Sequence, residues 1–255
     1  MGIYLMATLS SLVSSGGGSA TLETVILTKS QTWTPPVNGT GIIHVIGAGA
    51  SGGGDGNTRA GGAGGYSRKA VTFATGTNWT IVVGAGGLPT SIDQAVIAGG
   101  NSTAADGSSS LTANGAATSG YGGTASGGDV NFTGGTGGQS TTGGGGAVGV
   151  FANGSTTVSI SGGQTTDANG GADSFLVLGL GQLIGGSGGG SGGGNGGFLS
   201  GGGNNTDGAA QTYISGGKGG IGGGGGMGFS SNGSSLRVGG AGGDGLVVIQ
   251  YLTVT

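Results

Sequence analysis

An all-β fold is predicted for this chain: a small β-sandwich, formed by N- and C-terminal strands, that holds a glycine-rich insertion of packed polyglycine II helices. Three observations predict it. Glycine supplies 75 of the 255 residues, crowded into runs such as 143–146 and 222–226. Glycine brings no side chain to bury and loses more backbone freedom on folding than any other residue, so such a region cannot form a helical or ordinary sheet core. Only 6% of residues are charged, the net charge is -3 and the mean hydropathy is +0.16, the opposite of the composition that keeps chains disordered. The three prolines and the absence of a Gly-X-Y period exclude collagen. What remains is the threefold extended polyglycine helix, which bonds N–H to C=O between neighbours and adds weak Cα–H contacts to carbonyls.

The elements follow in order. Residues 1–13 (MGIYLMATLSSLV) are apolar but too short to span a membrane. They also lack the basic start and cleavage site of an export signal, and Met6 stands where a myristoylation pattern wants Ser or Thr. Residues 14–19 (SSGGGS) read as a flexible linker. A short apolar peptide before a linker suits docking to another protein through Ile3, Tyr4, Leu5, Leu9 and Leu12; the competing reading is a disordered start, with either Met1 or Met6 as initiator. Residues 24–33 (TVILTKSQTW) form a β-branched strand that ends at Pro35 and Pro36. Residues 41–46 (GIIHVI), 66–73 (YSRKAVTF), 79–83 (WTIVV) and 246–252 (LVVIQYL) are strands of the same kind. The expected organisation is a docking peptide and linker (1–22) followed by one domain (23–255), with scaffold strands in 23–84 and 246–255 and the insertion in 85–245. Within the insertion, residues 175–180 with Leu183 and Ile184 predict an internal strand or a hydrophobic plug.

Read together, TWTPPVNGTGIIHVIGAGASGGG, AGGAGGYSRKAVTFATGTNWTIVVGAGG and GGAGGDGLVVIQY resemble the glycine-rich domain of bacteriophage tail-fibre and other virion proteins. In that family an aromatic residue and a proline turn precede a strand that runs into glycines, a Gly-Gly-Tyr strand and a VGAGG strand end follow, and an apolar strand closes the domain. The resemblance spans residues 24–251. It implies a virion location, synthesis in the host cytoplasm and, as in fibre-tip adhesins with polyglycine bundles, loops between glycine motifs that touch a host receptor.

Chemistry-bearing motifs are sparse. There is no cysteine and one histidine, His44. Its place between Ile43 and Val45 reads as a solvated or hydrogen-bonded strand residue, since triads and zinc sites need several partners. Gly47, Gly49 and Gly52 spell G-x-G-x-x-G after a strand, but no helix can follow in SGGGDGNTRAGGAGG, and Lys69 stands where the ribose-binding acid belongs. Residues 239–247 match one calcium nonapeptide, with Asp244 as would-be ligand; calcium rolls need tandem copies, so a turn into the closing strand is the better reading. No catalytic residue, cofactor or metal site is expected. Six Lys and Arg with a pI of 4.7 argue against nucleic acid, and no membrane insertion is expected.

The insertion offers isolated large side chains between glycine runs: Tyr121, Phe132, Phe151, Phe198, Tyr213 and Phe229. Aromatic groups at loop tips on a rigid lattice make low-entropy contacts with sugars or proteins; alternatively, they cover the ends and seams of the bundle. The leading expectation is a non-enzymatic tail-fibre or tail-tip adhesin that contacts a bacterial surface protein or glycan. The runner-up is a purely structural virion component, such as a head fibre, capsid decoration or fibre shaft, whose partners are other virion proteins. A secreted surface or ice-binding protein is a third reading, but the threonines of the insertion are irregularly spaced. Assembly is open between a homotrimer and a lattice closed within one chain.

Overall fold

The computed structural model describes residues 3–6, 20–54, 59–91, 94–138, 146, 148, 176–177, 182–183, 201–202, 205–207, 213–230 and 236–254. Among these there is no helix. The strands in chain order are β1 (Ile3–Met6), β2 (Ala20–Leu27), β3 (Gln31–Trp33), β4 (Gly39–Ile46), β5 (Tyr66–Phe73), β6 (Trp79–Val82), β7 (Ser102–Ala105), β8 (Ser110–Ala113), β9 (Ala125–Ser126), β10 (Val130–Phe132), β11 (Leu176–Val177), β12 (Gln182–Leu183), β13 (Asn205–Asp207), β14 (Tyr213–Ser215), β15 (Gly228–Ser230), β16 (Leu236–Val238) and β17 (Leu246–Val254).

Two antiparallel sheets carry the scaffold, in the orders β1-β2-β17-β4-β5-β10 and β3-β6-β7-β8-β9. The closing strand β17 lies between β2 and β4, with Val248 opposite both Ile26 and His44. The two ends of the chain therefore hold each other. Period-2 alternation sends Val25, Leu27, Ile43, Val45, Val247 and Ile249 to one face, where they meet Trp33, Trp79, Ile81, Ala104, Leu111 and Ala113 of the second sheet in one buried core. Phe73 packs edge-on to Trp33, Trp79 and Tyr251, with ring centroids 5.2, 6.0 and 6.3 Å away, an arrangement that adds to the area buried by each ring.

Two expectations are corrected here. The run 24–33 is not one strand: β2 and β3 belong to different sheets, and the chain crosses from one to the other at residues 28–30. Within 85–245 the chain also forms β7 to β10, which complete both sheets. Residues 175–184 contribute the two-stranded pair β11 and β12, with Leu176 opposite Leu183.

Beyond the sheet ends the glycine segments bond to one another through their backbones. Segment 47–54 shows the rule. The N–H groups of Gly47, Ala50 and Gly53 donate to the carbonyls of Gly65, Gly62 and Arg59; those of Ala48, Ser51 and Gly54 donate to Gly100, Ile97 and Gln94; those of Gly49 and Gly52 donate to Gly243 and Gly240. Each neighbour is thus addressed by every third residue, and each partner number falls by three. The carbonyls face other neighbours, accepting from Ala116, Gly87 and Gly225 at Ala48, Gly49 and Ala50. Segment 59–65 repeats the period, with Ala60 and Ala63 bonded to Gly138 and Gly135, and Gly61 and Gly64 to Gly225 and Gly222.

Glycine is required where the chain reverses beside the sheet. Gly222 has φ +67°, and an added Cβ would meet Ile46 and Val148 side-chain carbons at 2.7 and 2.6 Å. Opposite, the β7–β8 hairpin turns on Asp106. Its carboxylate accepts the N–H groups of Ser108 and Ser109 at 2.9 and 2.6 Å and the Ser108 hydroxyl at 2.9 Å. Partial burial pushes this carboxyl up, but the bonds from Ser109 and Ser108 outweigh it and hold the group below its ordinary range. Asp106→Ala is expected to cost about 1 kcal/mol in urea unfolding, and Asp106→Asn, which keeps an acceptor, less.

Candidate functional site

Two places hold side chains with more than a packing role. The first is the outer face of the six-stranded sheet where it meets the glycine lattice. Here Ile46, Tyr66, Leu246 and Val248 are covered by Ala63 and Val148, with Ile26, Phe132 and Ile221 at the margin. His44 lies in this seam and is 5% exposed. Its Nε2 is 3.2 Å from Oε1 of Gln250, which can only accept, so Nε2–H donates; Nδ1 therefore accepts the Tyr66 hydroxyl proton at 2.8 Å. Burial lowers the His44 pKa to about 4, with the Gln250 bond raising it and the Arg68 charge lowering it. Burial likewise raises Tyr66 to about 12, against the pull of Arg68. The histidine is a hydrogen-bonded strand residue, not a solvated one, and its ring nitrogens are occupied by the fold itself.

The second place is the end of the lattice away from the sheets. A turn at residues 117–121 is closed by bonds from Gly120 N–H to the Ala117 carbonyl and from Ala117 N–H to the Tyr121 carbonyl. Gly120 sits at φ +74°, where its missing Cβ leaves room for the Ala60 carbonyl and the Arg59 side chain. Tyr121 is 52% exposed, and the Arg59 guanidinium carbon stands 4.8 Å over its ring, a cation–π distance. The β14–β16 and β13–β15 pairs lie at this end too. Both are parallel, with Tyr213 opposite Leu236 and Phe229 opposite Thr206, and the Arg237 carbonyl is near Gly54.

The predicted contact residues thus separate. Tyr121, Tyr213 and Phe229 are placed toward the distal end, while Phe132 stacks on Tyr66 at 6.2 Å and 12° in the seam. Phe151 and Phe198 lie outside the described residues. Of the predicted docking residues, Ile3, Tyr4 and Leu5 are in β1, which pairs with β2 at the sheet edge; Leu9 and Leu12 lie outside the described residues. Arg59 was missed, since a lone cation before AGGAGG gives no sign of the ring it will meet. The glycines of the dinucleotide-like motif, Gly47, Gly49 and Gly52, spend their N–H groups on lattice bonds and have none to offer a phosphate. Asp244 accepts the Gly86 N–H through Oδ1 at 2.8 Å and the Gly222 N–H through its carbonyl, which fixes the turn into β17. Among the described residues no three His, Asp or Glu side chains gather in a metal-binding group, and no helix is long and apolar enough to cross a membrane.

A family model described as a glycine-rich domain matches residues 24–252. The chain belongs to that family. No curated protein matches it.

Proposed function

We propose that this member of the glycine-rich domain family is a non-enzymatic phage virion protein, a tail-fibre or tail-tip adhesin that contacts a bacterial surface protein or glycan. The observation that carries the reading is the lattice itself. The threefold bonding period of segments 47–54 and 59–65 supports a reading as packed polyglycine II helices, held by two sheets that share one core. Such a bundle is stiff because its backbone groups are bonded to fixed neighbours, and it raises side chains such as Tyr121 on short turns away from the scaffold. Rigid presentation lowers the entropy lost on binding.

A purely structural virion role is the second reading, and one observation favours it. On the outer face of the six-stranded sheet, Leu252 and Ile42 are 49% and 37% exposed on neighbouring strands, with Leu22 opposite Leu252. This apolar row, at the end of the sheet away from the lattice, suits burial against another virion protein. The test is binding of the fluorescently labelled protein to candidate host cells, with phage adsorption scored in competition. Saturable binding that blocks adsorption supports the adhesin; no binding from a folded sample moves the protein to the capsid or shaft.

A further inference from the structure

We infer that Tyr121 and Arg59 form a platform for a sugar ring, which makes the surface partner a glycan. The inference rests on the adhesin reading and gives it a ligand class. Three features of the turn carry it.

The first is rigidity on both sides of the tyrosine. The Gly120 carbonyl accepts the Gly137 N–H, the Tyr121 carbonyl accepts the Ala117 N–H, and Gly123 N–H donates to Ala63. Gly122 lies so close to the Gly134 carbonyl that no side chain fits there. Little backbone freedom is left to lose when a ligand arrives.

The second is the state of the ring. The guanidinium of Arg59 occupies one side at 4.8 Å, yet half of the residue is exposed, so the ring offers its remaining surface to a ligand. A pyranose presents a face of C–H groups to an aromatic ring and hydroxyls around its edge, the same amphipathic match that suits Tyr to wet interfaces.

The third is the surroundings. Ala117, Thr118 and Ser119 in the same turn are exposed, so hydroxyls that can donate and accept stand beside the ring. A protein partner would need several apolar anchors in a desolvated centre. Tyr121 is the single large apolar residue exposed in this turn. One ring with a polar border fits a saccharide.

The experiment titrates the full chain with methyl glycosides of glucose, galactose, N-acetylglucosamine and glucuronic acid at millimolar concentration, reading the backbone amides of residues 117–123 by NMR. The expected result is a saturable shift of these amides by at least one glycoside. That shift is lost in Tyr121→Ala and kept in Tyr121→Phe, which retains an aromatic face, and binding weakens about tenfold in Arg59→Ala. No shift with any glycoside, or a shift that persists in Tyr121→Ala, overturns the platform. Cell binding of the unaltered chain, run in parallel, separates the two proposals. If it binds cells and Tyr121→Ala binds equally well, the adhesin stands and the platform falls; if it does not bind cells but still shifts with sugar, the platform stands without the adhesin.

Discussion

Gly49→Ala and Gly224→Ala are each expected to destabilise the protein by roughly 4 kcal/mol or more, and Gly224→Val further still. An added Cβ at Gly49 runs into the Gly223 carbonyl, and at Gly224 into the carbonyls of Gly61 and Gly62. The atoms struck are backbone, so no rotamer change gives relief. The struck segments are themselves bonded, Gly61 N–H to Gly225 and Gly225 N–H to Ala50, and shifting them to make room breaks those bonds in a buried place. Each buried group left unpaired costs about 1 to 3 kcal/mol, so one methyl group engages several such costs together. Gly100 supplies the contrast. A Cβ there meets its nearest neighbours at 3.0, 3.1 and 3.3 Å, which shifts of a few tenths of an ångström can relieve, and Gly100→Ala should cost about 1 kcal/mol. Tyr121→Ala, on the exposed turn, should change stability by less than about 0.5 kcal/mol. Urea unfolding midpoints of the parent and the five variants decide the matter: central glycine variants that unfold with the parent would show that the lattice does not hold the fold together. Gly144, another central glycine by sequence, lies outside the described residues.

The strands rich in large apolar residues were legible in the sequence. Residues 41–46, 66–73, 79–83 and 246–252 fall where β4, β5, β6 and β17 are found, because β-branched and aromatic residues crowd them; in β4 and β17 they fill both faces, one in the shared core and one in the seam. The break between β2 and β3 was hidden. Thr28, Lys29 and Ser30 are ordinary strand-edge residues, and a change of sheet leaves no trace in hydropathy. β7 and β8, STAA and SLTA, were hidden for another reason: Ala104 and Ala113 are fully buried, yet alanine and serine carry almost no period-2 contrast. The bonded glycine segments begin at Gly47, well before residue 85; in the sequence the short run 47–65 stands between two scaffold strands and reads as a loop joining them. At the candidate site the difficulty is similar. Tyr121 and Phe132 look alike in sequence, each a lone aromatic among glycines, but Tyr121 stands on a turn while Phe132 ends β10 directly opposite Tyr66. Only the register of that strand assigns one to the surface and the other to the seam.

Acid should loosen this protein in a window that belongs to His44 alone. The chain has one histidine, its pKa is about 4 in the fold, and it returns to about 6.5 when unfolded. Between those values the unfolded chain binds a proton that the folded chain refuses, so stability rises with pH across the window and falls as pH drops through it. Above pH 6.5 neither state is protonated and the contribution is flat. At or below pH 4 the full difference has accumulated, on the order of 3 kcal/mol. Asp106, held below the ordinary carboxylate range, adds its own loss only at lower pH, as unfolded carboxylates take up protons. The cause is local: the imidazole is buried in the seam, and the charged side chain acting on it is Arg68, its cross-strand neighbour on β5, so a second positive charge there meets repulsion as well as burial. Both ring nitrogens keep partners when His44 is protonated only if the Tyr66 hydroxyl turns from donor to acceptor, which does nothing for the burial of charge. The measurement is unfolding free energy in urea from pH 8 to pH 4 for the parent and for His44→Gln, which cannot titrate. The parent should lose about 3 kcal/mol over that range. The variant begins lower, having exchanged a well-packed ring for a looser amide, but its profile should be flat between pH 6.5 and 4.5. A variant that follows the parent's slope would place the acid sensitivity elsewhere and show that the seam admits the charge.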